Sequence, residues 1–142
     1  MRVVMETPCF VVTFEPETSL VRYTRKAKAF ESSEQTIQQH VELGTHLDLL
    51  GRRDHALLVD VRQSPFNPSL SFENAIAESR KHLFRGFSRV AILVRSAVGA
   101  LQLHRHVRED GLEIPVYREE QEALRFLAHS ADKAPSSRRF PR

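Results

Sequence analysis

The sequence predicts a single α/β domain built on one mixed sheet of about five strands, in the order β-β-α-β-α-β-α-β-α. Three observations carry that expectation. Residues 10–14 and 20–24 are rich in β-branched and aromatic side chains and flank the turn-forming stretch Glu15-Pro16-Glu17-Thr18-Ser19, which is the pattern of an antiparallel hairpin. Residues 56–61 and 90–94 are continuous apolar runs, as expected of strands covered on both faces. Each run is followed by a segment with helical spacing, which calls for parallel strands joined by right-handed crossovers.

The elements follow in order. In the second hairpin strand, Val21 and Tyr23 face one side while Leu20, Arg22 and Thr24 face the other. Ser32 and Gln35 have the spacing of a capping box, and behind them Ile37, Val41, Leu47 and Leu50 form the expected buried stripe of a helix ending at Gly51. Asn67 as N-cap and Pro68 at the first helical position open a second helix. Its buried stripe is Phe72, Ala75, Ile76, Ser79 and Leu83, and Gly86 lies near its end. Ser96 caps a third helix with Val98, Leu101 and Val107 inside, closed by Asp110-Gly111. Residues 114–117 form a short edge strand, because Pro115 cannot donate to a ladder. Residues 119–128 form the last helix, with acids near its N-terminus and Ala123, Leu124 and Leu127 facing inward.

A chain of 142 residues has the usual size of one domain and buries roughly two thirds of its unfolded surface, so one core suffices without disulfides or metals. With 41% hydrophobic and 27% charged residues it is neither disordered throughout nor fibrous. No run of about 18 apolar residues is present, and the N-terminus lacks the apolar core of a signal peptide. Together with the single cysteine, Cys9, this leads us to expect a cytoplasmic protein that does not enter a membrane. Of 21 basic and 18 acidic residues, four bases and one acid lie in 130–142, leaving 17 of each sign in 1–129. The positive excess thus belongs to a Ser/Pro/Arg tail read as disordered, and residues 1–129 form a domain with no basic face for nucleic acid.

Catalytic signatures are missing. No Gly-rich nucleotide loop occurs. Cys9 sits beside Pro8 at the start of an apolar strand, which favours a neutral, structural thiol. His104 and His106 are two apart on a predicted helix and cannot share an ion, and His40 with Glu42 has the same defect, so neither a metal nor another cofactor is expected. What remains is the rim beyond the carboxyl ends of the parallel strands, where open α/β sheets meet ligands and partners. Its loops carry Arg62, Ser64, Phe66 and Asn67, and Arg95 with Ser96, each running into a helix N-terminus whose free amides favour an anion. In the bland reading the arginines pair with Asp60 and Glu73, the serines cap helices and Phe66 tucks into the core edge.

Leu57-Leu58-Val59-Asp60-Val61-Arg62, with Asn67-Pro68 and Phe72-Glu73, and the stretch from Val90 through Arg95-Ser96-Ala97-Val98-Gly99-Ala100 to Gln102, occur here in an order that resembles the STAS superfamily, the anti-sigma-factor-antagonist fold. More narrowly, the chain resembles the STAS/SEC14-type domain proteins found in myxobacteria, over about residues 8 to 129. The resemblance implies a non-enzymatic regulatory module that binds a protein partner, with a serine phosphoacceptor before the second helix. Here the matching loop lacks the family's Asp-Ser pair, so Ser64 and Ser69 are positional candidates only; a phosphate there would add about two negative charges beside Arg62. Lipid transfer, the other half of the family name, needs a deep apolar pocket, for which so short a chain is expected to have little core volume.

Two functional expectations follow. One is a protein partner docked on the rim of Arg62, Ser64, Phe66, Arg95 and Ser96; the other is a small ligand, a nucleotide or other anion, held at the same helix N-termini. An exposed edge strand also admits a homodimer.

Overall fold

The computed structural model describes residues 1–65, 70–109, 111 and 113–128, without the side chains of 70–73, 104, 106 and 109. Its six strands lie in sequence order in one sheet: β1 (Arg2–Glu6), β2 (Phe10–Glu15), β3 (Leu20–Arg25), β4 (Ala56–Asp60), β5 (Arg89–Leu93) and β6 (Val116–Tyr117). The first three form an antiparallel meander, and β3 to β6 run parallel. Helices α1 (Ser33–Leu50), α2 (Leu70–Phe84), α3 (Ala97–Glu109) and α4 (Glu120–Ala128) follow β3, β4, β5 and β6 in turn. The mixed sheet and helix order match the expectation, with one strand more than the five read from sequence. That strand is β1, whose Val3-Val4-Met5 run is short, half exposed and bulged against β2. The turn into β2 is held by Thr7, whose hydroxyl accepts from the Cys9 and Phe10 amides at 3.0 and 3.1 Å.

The sheet divides two cores. Phe10, Val12, Val21, Tyr23, Leu57, Val59 and Ile92 meet Leu43 and Leu47 of α1, Leu83 of α2 and Val107 of α3 on one face. On the other face Leu20, Ala56, Leu58, Ala91 and Leu93 meet Ala123 and Leu127 of α4. Strand β4 is buried along its whole length, as its unbroken apolar run requires.

Two helices turn a different face inward from the one expected. The buried residues of α1 are Thr36, His40, Leu43, Gly44 and Leu47, whereas Val41 is exposed. The stripe is hidden in sequence because a histidine and a glycine occupy it. The His40 ring is bonded on both sides: its Nδ1 donates to the Thr36 carbonyl at 2.8 Å, and its Nε2 accepts from the Tyr23 hydroxyl at 2.8 Å. At Gly44 an added Cβ would stand 3.3 Å from an Arg52 nitrogen, so the missing side chain admits the close approach of α2 and Arg52. In α3, Val107 is buried as expected, with Leu103 and Ala100 partly buried one and two turns before it. Val98 and Leu101, expected inside, are exposed.

The helix ends follow local chemistry. Ser32 Oγ accepts from the Gln35 amide at 3.0 Å, while the Gln35 carboxamide accepts from the Glu31 amide at 2.9 Å, one residue earlier than a regular capping box. Gly51 closes α1 at φ 99°, its amide bonding Leu47 O. Asn67, Pro68, Asp110 and the 130–142 tail lie outside the described residues, as does the Phe72 side chain; Ala75, Ser79 and Leu83 of the α2 stripe are buried and Ile76 partly so.

Arg52 fastens α1 to α2. Its Nε donates to Asp48 at 2.7 Å, its Nη1 to the carbonyls of Leu83 and Arg85, and its Nη2 to those of Gly44 and His82. Three of these carbonyls belong to the last turn of α2 and the residue after it, which have no helical amide to satisfy them. Arg52→Met should leave the carbonyls orphaned and lower stability by about 3 kcal/mol in urea denaturation. A loss under about 1 kcal/mol would show that the clamp is dispensable.

His40 gives the fold a pH dependence. Burial pushes its imidazole down to about 4, helped by the charges of Arg25 and His82 and opposed by the Thr36 hydrogen bond. The unfolded chain therefore takes up this proton first. Stability from this group is complete above about pH 6.5, falls as pH drops toward 4, and flattens below that. The expected loss is about 2 kcal/mol between pH 6.5 and 4.5. His40→Gln should remove that slope; an unchanged slope would place its source elsewhere.

Candidate functional site

Strands β3, β4 and β5 all end at the same rim, and beneath it the layer of helices stands away from the sheet. A cavity of about 380 Å³ opens there between the sheet face, α2 and α3. Ile76, Leu83, Val94 and Leu103 are among its walls, and Tyr23 and His40 reach it from the core. The expectation of little spare core volume is thus corrected. The space goes with α1 and α2 packing against each other through Gly44 and Arg52, and with α3 turning Ala100, Leu103 and Val107 of its described side chains toward the core.

Four arginines line this cavity, Arg25, Arg62, Arg80 and Arg95, and none of its described lining residues is acidic. They differ sharply in how their charge is met. The Arg62 guanidinium donates to Asp60 at 3.0 and 2.8 Å and to Glu120 at 3.1 Å. Arg22 joins the same cluster through Glu120 at 2.8 Å and Asp60 at 3.6 Å. Burial works to raise the Asp60 carboxyl, but hydrogen bonds from the Arg62 side chain and amide, with both arginine charges, hold it below its ordinary value. Arg62 therefore ties the end of β4 to the start of α4. This is the structural role the bland reading gave it, with Glu120 as the second acid among the described residues.

The other rim residues sort in the same way. Ser96 caps α3, its Oγ accepting from the Gly99 amide at 3.0 Å. Arg95 is exposed at the cavity mouth and makes no hydrogen bond or ion pair among the described residues. Ser64 is half-buried, and its hydroxyl accepts from Arg25 Nη1 at 3.2 Å rather than facing Arg62. Phe66, Asn67, Ser69 and the Glu73 side chain lie outside the described residues.

Arg25 was missed by sequence reading. It is 7% exposed, and its guanidinium stacks 4.4 Å over the Phe30 ring. The Nε donates to Cys9 O at 3.0 Å, Nη1 to Ser64, and Nη2 to Lys28 O at 3.2 Å. No carboxylate pairs with it among the described residues, and burial pulls it below its ordinary pKa. The signal was present in β3: the alternation that turns Val21 and Tyr23 inward reaches Arg25 two residues later. Its neighbour Cys9 is a buried free thiol bonded to Ala29 O, with no base beside it among the described contacts.

A second concavity, of about 520 Å³, lies near the amino ends of the parallel strands. Glu113 stands among its cations, and Arg89 is already stacked 4.6 Å from the Phe126 ring. It offers no buried unpaired charge and is the weaker candidate. Among the described residues no cluster of three metal-ligating side chains occurs, and no helix is long and apolar enough to cross a membrane.

No family model matches the chain, and no curated protein is significantly similar to it. Among solved structures it is similar to an uncharacterised protein of the DUF3478 family with a SpoIIAA-like fold from Shewanella loihica PV-4. The two share 16% identity with a TM-score of 0.62, over 87% of this chain and 98% of that one. The chain thus has a SpoIIAA-like fold.

Proposed function

We propose that this chain is a non-enzymatic regulatory module that binds a small ligand in the cavity beneath its rim. The cavity itself carries the reading. Its volume falls in the range of small-molecule sites, its walls are mostly apolar, and a few polar groups converge at one end. The fold, associated with regulation rather than chemistry, points the same way. Of the described side chains that reach the cavity from the core, His40 has both ring nitrogens engaged, and Tyr23 is held protonated by burial.

A protein partner docked on the rim is the second reading. Its support is the grouping of the unpaired Arg95 with exposed Val98 and Leu101 on the first turns of α3. Ligand occupancy beneath α3 would then bias the surface that the partner reads.

A thermal-shift panel of small anions and neutral amphiphiles should give a concentration-dependent rise in melting temperature for at least one class, as mass action requires. Ile76→Phe, which fills the cavity, should abolish the rise while leaving a cooperative unfolding transition. A flat panel, or a rise that survives Ile76→Phe, overturns the cavity as the site.

A further inference from the structure

Resting on that reading, we infer that the ligand is a monocarboxylic acid with an apolar body, its carboxylate held by Arg25 and its body by the space between the sheet and α2. Three independent observations lead there.

The first is charge. A buried cation without a counter-ion is costly, and proteins ordinarily pair it. Arg25 is 7% exposed, yet its hydrogen-bond partners among the described residues are all uncharged: two backbone carbonyls and the Ser64 hydroxyl. A guanidinium carries five N–H donors, and three are used among the described residues, which leaves one N–H on each of Nη1 and Nη2 for a carboxylate. Arg62, at the same rim, shows the contrast, since two carboxylates already satisfy it.

Size and polarity come second. At the roughly 30 Å³ that a water occupies in the liquid, a cavity of about 380 Å³ holds roughly a dozen water-sized groups. That suits a medium-chain or small aromatic acid. A nucleotide, with base, sugar and several charges, exceeds it, and a single buried guanidinium would leave most of those charges unmet. Val59, Ile76, Leu83, Ile92, Val94 and Leu103 offer the body only apolar contact.

The third is the placement of Arg95. Arg95 at the mouth is exposed and unpaired, and no acid lines the cavity among the described residues, so the entrance attracts an anion and repels none. This places the anion inside, at Arg25, rather than at the N-terminus of α3, where Ser96 already caps the Gly99 amide.

The test uses the full chain and three probes of one length: octanoate, 1-octanol and octylamine, titrated calorimetrically at pH 7. Octanoate should bind at least about tenfold tighter than octanol, the difference a charge-assisted hydrogen bond makes, and octylamine should not bind. Arg25→Gln should bring octanoate down to the level of octanol without weakening octanol itself. Should Arg25→Gln fail to fold, the wild-type ranking decides alone, supported by a weakening of octanoate but not octanol at high salt. Equal binding of octanol and octanoate would overturn the acid assignment and leave the cavity reading intact. Binding by none of the three, with a flat thermal-shift panel, would overturn both.

Discussion

The bonds from Arg52 set the distance between α1 and α2, and much of the molecule depends on that distance. One side chain from the turn after α1 satisfies the terminal carbonyls of α2 and a carbonyl inside α1, and Asp48 compensates its charge. Gly44 makes the approach sterically open. With its C-terminal end tied to α1 rather than pressed flat on the sheet, α2 forms a wall of the cavity. The space for a ligand is a product of how two helices are fastened to each other, not of an opening in the sheet.

The sheet also separates two kinds of arginine. Arg22 on the α4 face and Arg62 at the rim share Asp60 and Glu120, a neutral cluster that docks α4 at the carboxyl ends of the strands. On the α1 to α3 face Arg25 is buried with no acid beside it among the described residues, stabilised by carbonyls and an aromatic ring. The same residue type, at the same end of neighbouring strands, is structural on one face and available on the other. Alternation along the strand decides which.

The fold was legible where apolar residues alone define an element. The buried runs of β4 and β5, the hairpin of β2 and β3, the caps at Ser32 and Ser96 and the stop at Gly51 could all be read from residue type and spacing. Legibility failed where polar or small residues face the core. In α1 the inward face contains Thr36, His40 and Gly44, so an apolar count selected Val41 instead. In α3 the inward residues include Ala100, and the larger Val98 and Leu101 drew the stripe to the wrong side. The cavity lining followed the same rule: the loop residues Arg62, Ser64, Arg95 and Ser96 that sequence singled out line it, but Arg25, inside the strand pattern, was overlooked because an arginine reads as surface. The cavity is a property of how layers stand apart, and no local pattern encodes it.

The bulge between Val3 and Met5 in β1 has a consequence for how copies of the chain meet. An outer strand with a regular ladder is a template on which another chain can pair, the first step toward open-ended aggregation. Here the register breaks in the middle of a five-residue strand, and the opposite margin, β6, is only two residues long. Neither margin presents an uninterrupted row of amides and carbonyls long enough to nucleate a shared sheet. Among the described residues, crowding at high expression therefore finds little backbone on these two margins to extend, and pairing of copies there falls to side chains.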